Sequence, residues 1–309
     1  FKEVDSIAVD FMLWLTKLSP DGRFLVCANG SEIIIWDMKN EKKIKTSDEY
    51  ISLAESAEIV ISSDSRLLVV ADNRFIKLWN IESNELLSVF KTISLGLPVG
   101  KVVTSVAISS DSSLLAAGMF DTNKAMLWSI KDNKATIIDT QLSTVFTVSF
   151  SPDGRLLAFG GPEGLELYDV KTKKEIPIDW EPGHIRRSAF SADGKLLLSG
   201  GDNAVHIWDM QKLKMIDAIK QSSAVTYLSL SSDGKWLAVG IVKPSQVKLY
   251  NMLSFKEVAT FIGSYNNALN SNGCLLATTN GLDTNLWDVP KQDKIATLLP
   301  DVYIRNLYF

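Results

Sequence analysis

The chain has 309 residues, of which 46% are hydrophobic and 22% charged, enough apolar surface for a large core and too much for a disordered state. Lys and Arg number 32 against 36 Asp and Glu, and the formal net charge of -4 excludes general attraction to nucleic acid or an anionic membrane. Two cysteines, Cys27 and Cys274, make neither a disulfide framework nor a metal-ligand spacing, and no apolar run approaches the roughly 18 residues of a membrane helix.

In chain order, residues 1–10 read as an isolated outer strand, because Phe1-Lys2-Glu3-Val4 returns as Phe255-Lys256-Glu257-Val258. A Ser-x-Asp-Gly-like turn then recurs seven times, starting at Ser19, Ser62, Ser109, Ser151, Ser191, Ser231 and, in the altered form Asn270-Ser271-Asn272-Gly273, at Asn270. Successive starts lie 43, 47, 42, 40, 40 and 39 residues apart. Each turn is followed, after 17 or 19 residues, by Trp36, Trp79, Trp128, Tyr168, Trp208, Tyr250 or Trp287. A register kept seven times is a structural repeat and not chance.

Within a unit, runs such as Val225–Leu230, Lys235–Val239 and Gln246–Tyr250 are rich in β-branched and aromatic residues, with Asp-Gly or Asp-Ser where a hairpin reverses. A fourth, more polar strand follows, as in Phe255–Phe261. Four antiparallel strands every 40 or so residues predict an all-β, seven-bladed β-propeller. The expected blades are approximately 11–49, 50–98, 99–140, 141–180, 181–220, 221–262 and 263–300. Residues 301–309 resemble a further inner strand, so the terminal strands leave room for part of an eighth repeat and suggest a slice of a longer polypeptide with flanking domains.

On these features the sequence resembles the WD40-repeat family over roughly residues 11–300. The name-giving dipeptide stands at Trp36-Asp37, Trp208-Asp209 and Trp287-Asp288, and is softened to Trp79-Asn80, Trp128-Ser129, Tyr168-Asp169 and Tyr250-Asn251. The resemblance implies a ring whose face and channel mouth dock peptides, and, in well-formed blades, a buried His, Ser/Thr, Asp and Trp tetrad. With two histidines in the chain, most blades must lack that tetrad. Gly183-His184 lies 24 residues before Trp208, which sets His184 at the mouth of the inner strand and not at the tetrad site. His206 reads as a packed strand residue. Apolar packing between sheets is expected to hold the blades together.

No catalytic constellation stands out. Gly96–Lys101 is one residue short of a phosphate loop, and Val102 replaces the Ser or Thr that would hold magnesium. The turn aspartates are structural, and the lysines of 41–45, 171–174 and 212–214 read as protection of exposed strand edges. The expectation is therefore a soluble, cytoplasmic, non-enzymatic ring without cofactor or metal. It serves as a scaffold for a protein or peptide or, alternatively, as the sensor or target-recognition domain of a larger multidomain signalling protein, with a propeller enzyme whose active site lies in the channel ranked below both. The position five residues before each turn holds Trp14, Ala57, Thr104, Phe146, Arg186, Thr226 and Tyr265. Trp14, Phe146, Arg186 and Tyr265, with His184 and Arg187 beside them, are the candidate contact residues, because aromatics and Arg anchor interfaces. Asp72, Phe120 and Lys243 occupy loops expected on the same face.

Overall fold

The repeated turn is closed by its own side chains. The Ser19 hydroxyl donates to Asp21 Oδ1 at 2.6 Å and accepts the Phe24 N–H at 2.8 Å, while Asp21 Oδ1 also accepts the Arg23 N–H at 3.0 Å. The same bonds recur at the turns of Ser62, Ser109, Ser151, Ser191 and Ser231. In the seventh turn Asn270 and Asn272 offer amide oxygens to the Leu275 and Cys274 N–H groups, so the altered sequence keeps the geometry. The last turn residue has φ of 73° at Gly22, and Ser65 and Ser112 adopt the same left-handed conformation at 61° and 59°.

The residue after each aromatic has an equally local task. Asp37, Asn80, Ser129, Asp169, Asp209, Asn251 and Asp288 each accept a backbone N–H two or three residues on, capping the next hairpin. Asn and Ser replace Asp there without loss of the acceptor. Asp37 is also held by Arg23 at 3.0 Å, and that bond is the main reason its carboxyl lies at about 2.

The computed structural model describes residues 15–28, 32–45, 58–71, 75–91, 103–179, 183–263, 267–270, 272–279 and 284–298. Among them every regular element is a β-strand. Blade 1 comprises β1 (Leu15–Leu18), β2 (Phe24–Ala28), β3 (Ile33–Asp37) and β4 (Lys42–Lys45). Blade 2 comprises β5 (Glu58–Ile61), β6 (Leu67–Ala71), β7 (Phe75–Asn80) and β8 (Glu85–Lys91). Blade 3 comprises β9 (Val103–Ile108), β10 (Leu114–Met119), β11 (Lys124–Ser129) and β12 (Lys134–Asp139). Blade 4 comprises β13 (Thr147–Phe150), β14 (Leu156–Gly160), β15 (Leu165–Asp169) and β16 (Lys174–Ile176). Blade 5 comprises β17 (Ile185–Phe190), β18 (Leu196–Gly201), β19 (Ala204–Asp209) and β20 (Lys214–Lys220). Blade 6 comprises β21 (Val225–Leu230), β22 (Trp236–Ile241), β23 (Gln246–Asn251) and β24 (Lys256–Ile262). Blade 7 comprises β25 (Asn267–Leu269), β26 (Leu275–Thr279), β27 (Thr284–Asp288) and β28 (Asp293–Leu298).

Each blade is an antiparallel sheet in chain order, and the seven form a β-propeller. The first strand of each blade adjoins the first strand of the next, so first strands are innermost and fourth strands form the rim. Lys42, Lys43, Lys174 and Lys214 stand exposed on those rim strands, where charge discourages pairing with another edge.

The core lies between blades. In all seven sheets the third-strand aromatic faces a leucine of the second strand, from Leu25–Trp36 to Leu276–Trp287. From blade 2 onwards that aromatic packs into the cluster shared with the preceding blade: Trp79, Trp128, Tyr168, Trp208, Tyr250 and Trp287. The inner strands have a free edge, and the preceding blade supplies acceptors for it. Glu58 Oε2 takes the Val106 N–H at 2.6 Å, Ser105 Oγ that of Val148 at 3.3 Å, and Ser229 Oγ that of Leu269 at 3.0 Å.

Candidate functional site

Each inner strand ends in a Ser-x-Asp-Gly turn, so its opposite end, with the loops between second and third strands, makes the other face of the ring. The position five residues before the turn has a special backbone there. In β9, β17 and β21 the ladder skips one residue, leaving Thr104, Arg186 and Thr226 as β-bulges. A bulge re-aims a side chain out of the ladder, which suits a surface contact. The sequence marked these positions by spacing alone.

The junction of blades 4 and 5 gathers four of the expected contact residues. Phe146 lies just before β13, its N–H bonded to the Gly160 carbonyl at 2.7 Å. Its ring meets the His184 imidazole edge-on, with centroids 5.2 Å apart and planes at 66°. His184 precedes β17, as its spacing suggested, and its Nδ1 is 3.5 Å from Asp202 Oδ1, an ion pair when the ring is protonated. Arg186 directs Nε and Nη2 to the same oxygen, each at 3.3 Å. Arg187 Nη1 donates to the Arg186 carbonyl at 2.8 Å. Between these polar residues Ile185 is wholly buried and its N–H bonds the Gly161 carbonyl at 2.8 Å, which pins the segment to blade 4.

Asp202 was not singled out in the sequence, although it sits in a Gly200-Gly201-Asp202-Asn203 turn where a polar loop residue is in plain view. It lets blade 5 form both halves of a tetrad. His184 approaches Asp202, and Trp208 Nε1 donates to the buried Ser199 hydroxyl at 3.0 Å. In blade 7 Trp287 likewise donates to Thr278 at 2.9 Å.

Phe120 is 47% exposed in the loop after β10, and this loop is tied to the segment leading into Phe146. The Val145 N–H bonds the Met119 carbonyl at 3.0 Å, the Asp121 N–H bonds Thr144 Oγ1 at 3.0 Å, and the Thr104 hydroxyl donates to the Val145 carbonyl. Lys243 is exposed in the corresponding loop of blade 6, with its backbone bonded to Ser222 and Ser223. Trp14, Asp72 and Tyr265, like Ala57, the Gly96–Lys101 segment and residues 1–10 and 301–309, where terminal strands were expected, lie outside the described residues. Among the described residues no cluster of His, Cys, Asp and Glu has the makings of a metal site.

Two carboxylates hold the backbone that leads to Phe146. Glu163 Oε2 accepts the Ser143 N–H at 2.9 Å and Glu166 Oε1 accepts the Gln141 N–H at 2.7 Å. Burial pushes the Glu166 carboxyl up to about 7; the Gln141 bond opposes this, and the charges of Glu175 and Glu163 add to it. Below pH 4.5, its ordinary value, Glu166 is protonated in both folded and unfolded chains and has no effect on stability. As pH rises towards 7 the unfolded chain ionises first, so stability falls, and above 7 the loss is complete. Glu166→Gln keeps an oxygen acceptor for Gln141 and removes the buried charge. Thermal melts are expected to show a gain of about 1–2 kcal/mol at pH 8, after allowance for partial solvent screening, and none at pH 4. Identical melts at both pH values would mean that Glu166 ionises like a surface carboxylate.

A family model described as WD domain, G-beta repeat matches residues 178–209, the stretch that contains His184 and Trp208-Asp209. The chain is 33% identical over 129 residues to WD repeat-containing protein SL1-17 of Schistosoma mansoni, a match covering 41% of this chain and 40% of that protein. It is 24% identical over 148 residues to the WD repeat-containing protein WDS homolog of Arabidopsis thaliana, covering 46% and 28% respectively. The matched part thus spans less than half the length of either relative. Seven four-stranded blades, the turn and aromatic register and these similarities together support a WD40-type β-propeller.

Proposed function

We propose that the protein is a non-catalytic ring that binds a peptide, or a segment of another protein, on the face where blades 4 and 5 meet. The observation that carries this reading is the Phe146–His184–Arg186–Asp202 cluster. An aromatic pair beside a half-exposed guanidinium combines apolar contact with a directional donor, the combination that dominates protein interfaces. Asp202 orients Arg186 through one carboxylate oxygen, so the fork is pre-aimed at an acidic group on a partner. The rigid sheets beneath supply the preorganisation that limits the entropy cost of binding.

The test is a peptide library displayed against the intact chain. Peptides enriched on the wild type are expected to be lost on Arg186→Glu and weakened on Phe146→Ala. The Arg186→Glu melting temperature should stay within a few degrees, because an exposed ion pair contributes under about 1 kcal/mol. Enriched peptides that bind both variants undiminished would place recognition elsewhere, and a large fall in stability with binding retained would make Arg186 structural.

A further inference from the structure

His184 is fixed by backbone on both sides. A Cβ at Gly201 would stand 2.7 Å from the His184 carbonyl oxygen, so glycine there lets the two strand ends meet and brings the next residue, Asp202, up to the imidazole. Ile185 pairs with Gly201 in the sheet, and its N–H bonds the Gly161 carbonyl of blade 4 at 2.8 Å. The ring itself rests against Phe146 and keeps 27% of its side-chain surface exposed.

Charged groups face the imidazole from three elements. Asp202, on the loop between β18 and β19, sets Oδ1 3.5 Å from Nδ1. That nitrogen is buried, and among the described residues no hydrogen bond reaches it, so a proton placed there gains Asp202 as its counter-ion. Glu163, on the loop between β14 and β15, feels the charge of the ring. Burial works against its ionisation, but bonds from Ser143 and, to a smaller extent, the His184 charge hold its carboxyl below the ordinary value. Glu166 of β15 interacts in turn with the Glu163 charge. On β17, Arg186 directs Nε and Nη2 to the same Asp202 oxygen, each at 3.3 Å, and Arg187 bonds the Arg186 carbonyl.

Histidine is the side chain that gains a proton in mildly acidic solution. Carboxylates on two neighbouring loops favour the charged ring. A cation on His184 then acts twice in the same direction. It pulls on the oxygen that holds Arg186, which releases the guanidinium fork towards a partner, and it adds a second positive charge beside that fork. On the reading that this face captures a partner through an acidic group, we propose that His184 makes the capture pH-sensitive, acidic partners being held more tightly once the imidazole is protonated. The effect is reciprocal: a bound acidic partner also favours the protonated ring.

The test is peptide display against the intact chain at about pH 7.5 and about pH 5.5, followed by calorimetric titration of an enriched glutamate-containing peptide, whose carboxylates stay ionised at both. Wild type is expected to bind about threefold to tenfold more tightly at the lower pH, the effect of one charge added near the partner. Each variant is read as the ratio of its own two affinities, so a general loss of affinity does not enter. His184→Gln should bring that ratio to within about twofold of one. Glu166→Gln should keep most of the wild-type ratio, which separates His184 from the neighbouring carboxyl that titrates at about 7. Thermal melts at both pH values check that the variants fold. If His184→Gln does not fold, Glu166→Gln carries the test: titrated at about pH 6.5 in two buffers of different ionisation enthalpy, it should take up protons on binding. A wild-type ratio near one, a response that survives His184→Gln, or binding to Glu166→Gln without proton uptake would overturn the proposal and leave partner capture standing. Peptides enriched at neither pH would overturn both.

Discussion

Trp208→Ala is expected to destabilise the ring by about 3–5 kcal/mol, the usual range for emptying a buried tryptophan site. The indole is 2% exposed and packs with Ala158, Leu165, Leu167, Ile185 and Leu197, so its removal opens a void between blades 4 and 5. It also leaves the Ser199 hydroxyl, fully buried, without the indole donor that now meets it at 3.0 Å. Trp208→Phe refills most of the space without restoring that bond, and should cost about 1–2 kcal/mol. Chemical denaturation of the three proteins checks the order. Ile185 belongs to the same cluster and positions His184 and Arg186, so Trp208→Ala should weaken peptide binding as well as stability. Arg186→Glu should affect binding alone. A Trp208→Ala midpoint equal to that of the wild type would show that the interblade cluster does not hold these blades together.

Gly161→Val should destabilise by about 1–3 kcal/mol through overpacking against atoms that cannot yield. A Cβ at Gly161 would stand 2.3 Å from the Thr144 carbonyl oxygen and 3.0 Å from Leu142 Cβ. The Gly161 N–H bonds the Gly164 carbonyl and its own carbonyl accepts from Ile185, so neither this strand end nor its neighbour can shift without breaking a bond. The displaced segment runs straight into Phe146, and peptide binding should fall with stability. Gly22→Ala is the comparison. Its Cβ would meet nothing within 4 Å, and the strain is confined to a backbone at φ +73°, about 1–2 kcal/mol. Equal losses in Gly161→Ala and Gly22→Ala would show that close approach is not what reserves position 161 for glycine.

Some of this molecule could be read directly from its sequence. The seven turns, the aromatic that follows each and the acceptor after the aromatic were legible because their bonds span two to five residues. Local chemistry leaves a local pattern: Asn270 and Asn272 stand in for Ser and Asp, and Asn80, Ser129 and Asn251 still cap their hairpins. Antiparallel blades then follow, since short turns permit little else, and a sheet with one free inner edge and one free outer edge must pack its faces against neighbours.

Tertiary structure alone decided the rest. Glu58 reaches Val106 across 48 residues, Lys17 reaches Ile59 across 42, and each aromatic from blade 2 onwards packs against the preceding blade. A charge inside Glu58-Ile59-Val60-Ile61 was a visible anomaly, yet nothing in that strand names the amide it meets. The bulges that re-aim Thr104, Arg186 and Thr226 are slips in strand pairing, which a single strand does not encode. Asp202 became the partner of His184 and Arg186 because a loop and a strand end, 16 residues apart in Arg186 and Asp202, converge on one face. Sequence spacing determines what neighbouring residues do to one another; contacts between blades depend on how the sheets pack around the axis, and only the folded ring sets that.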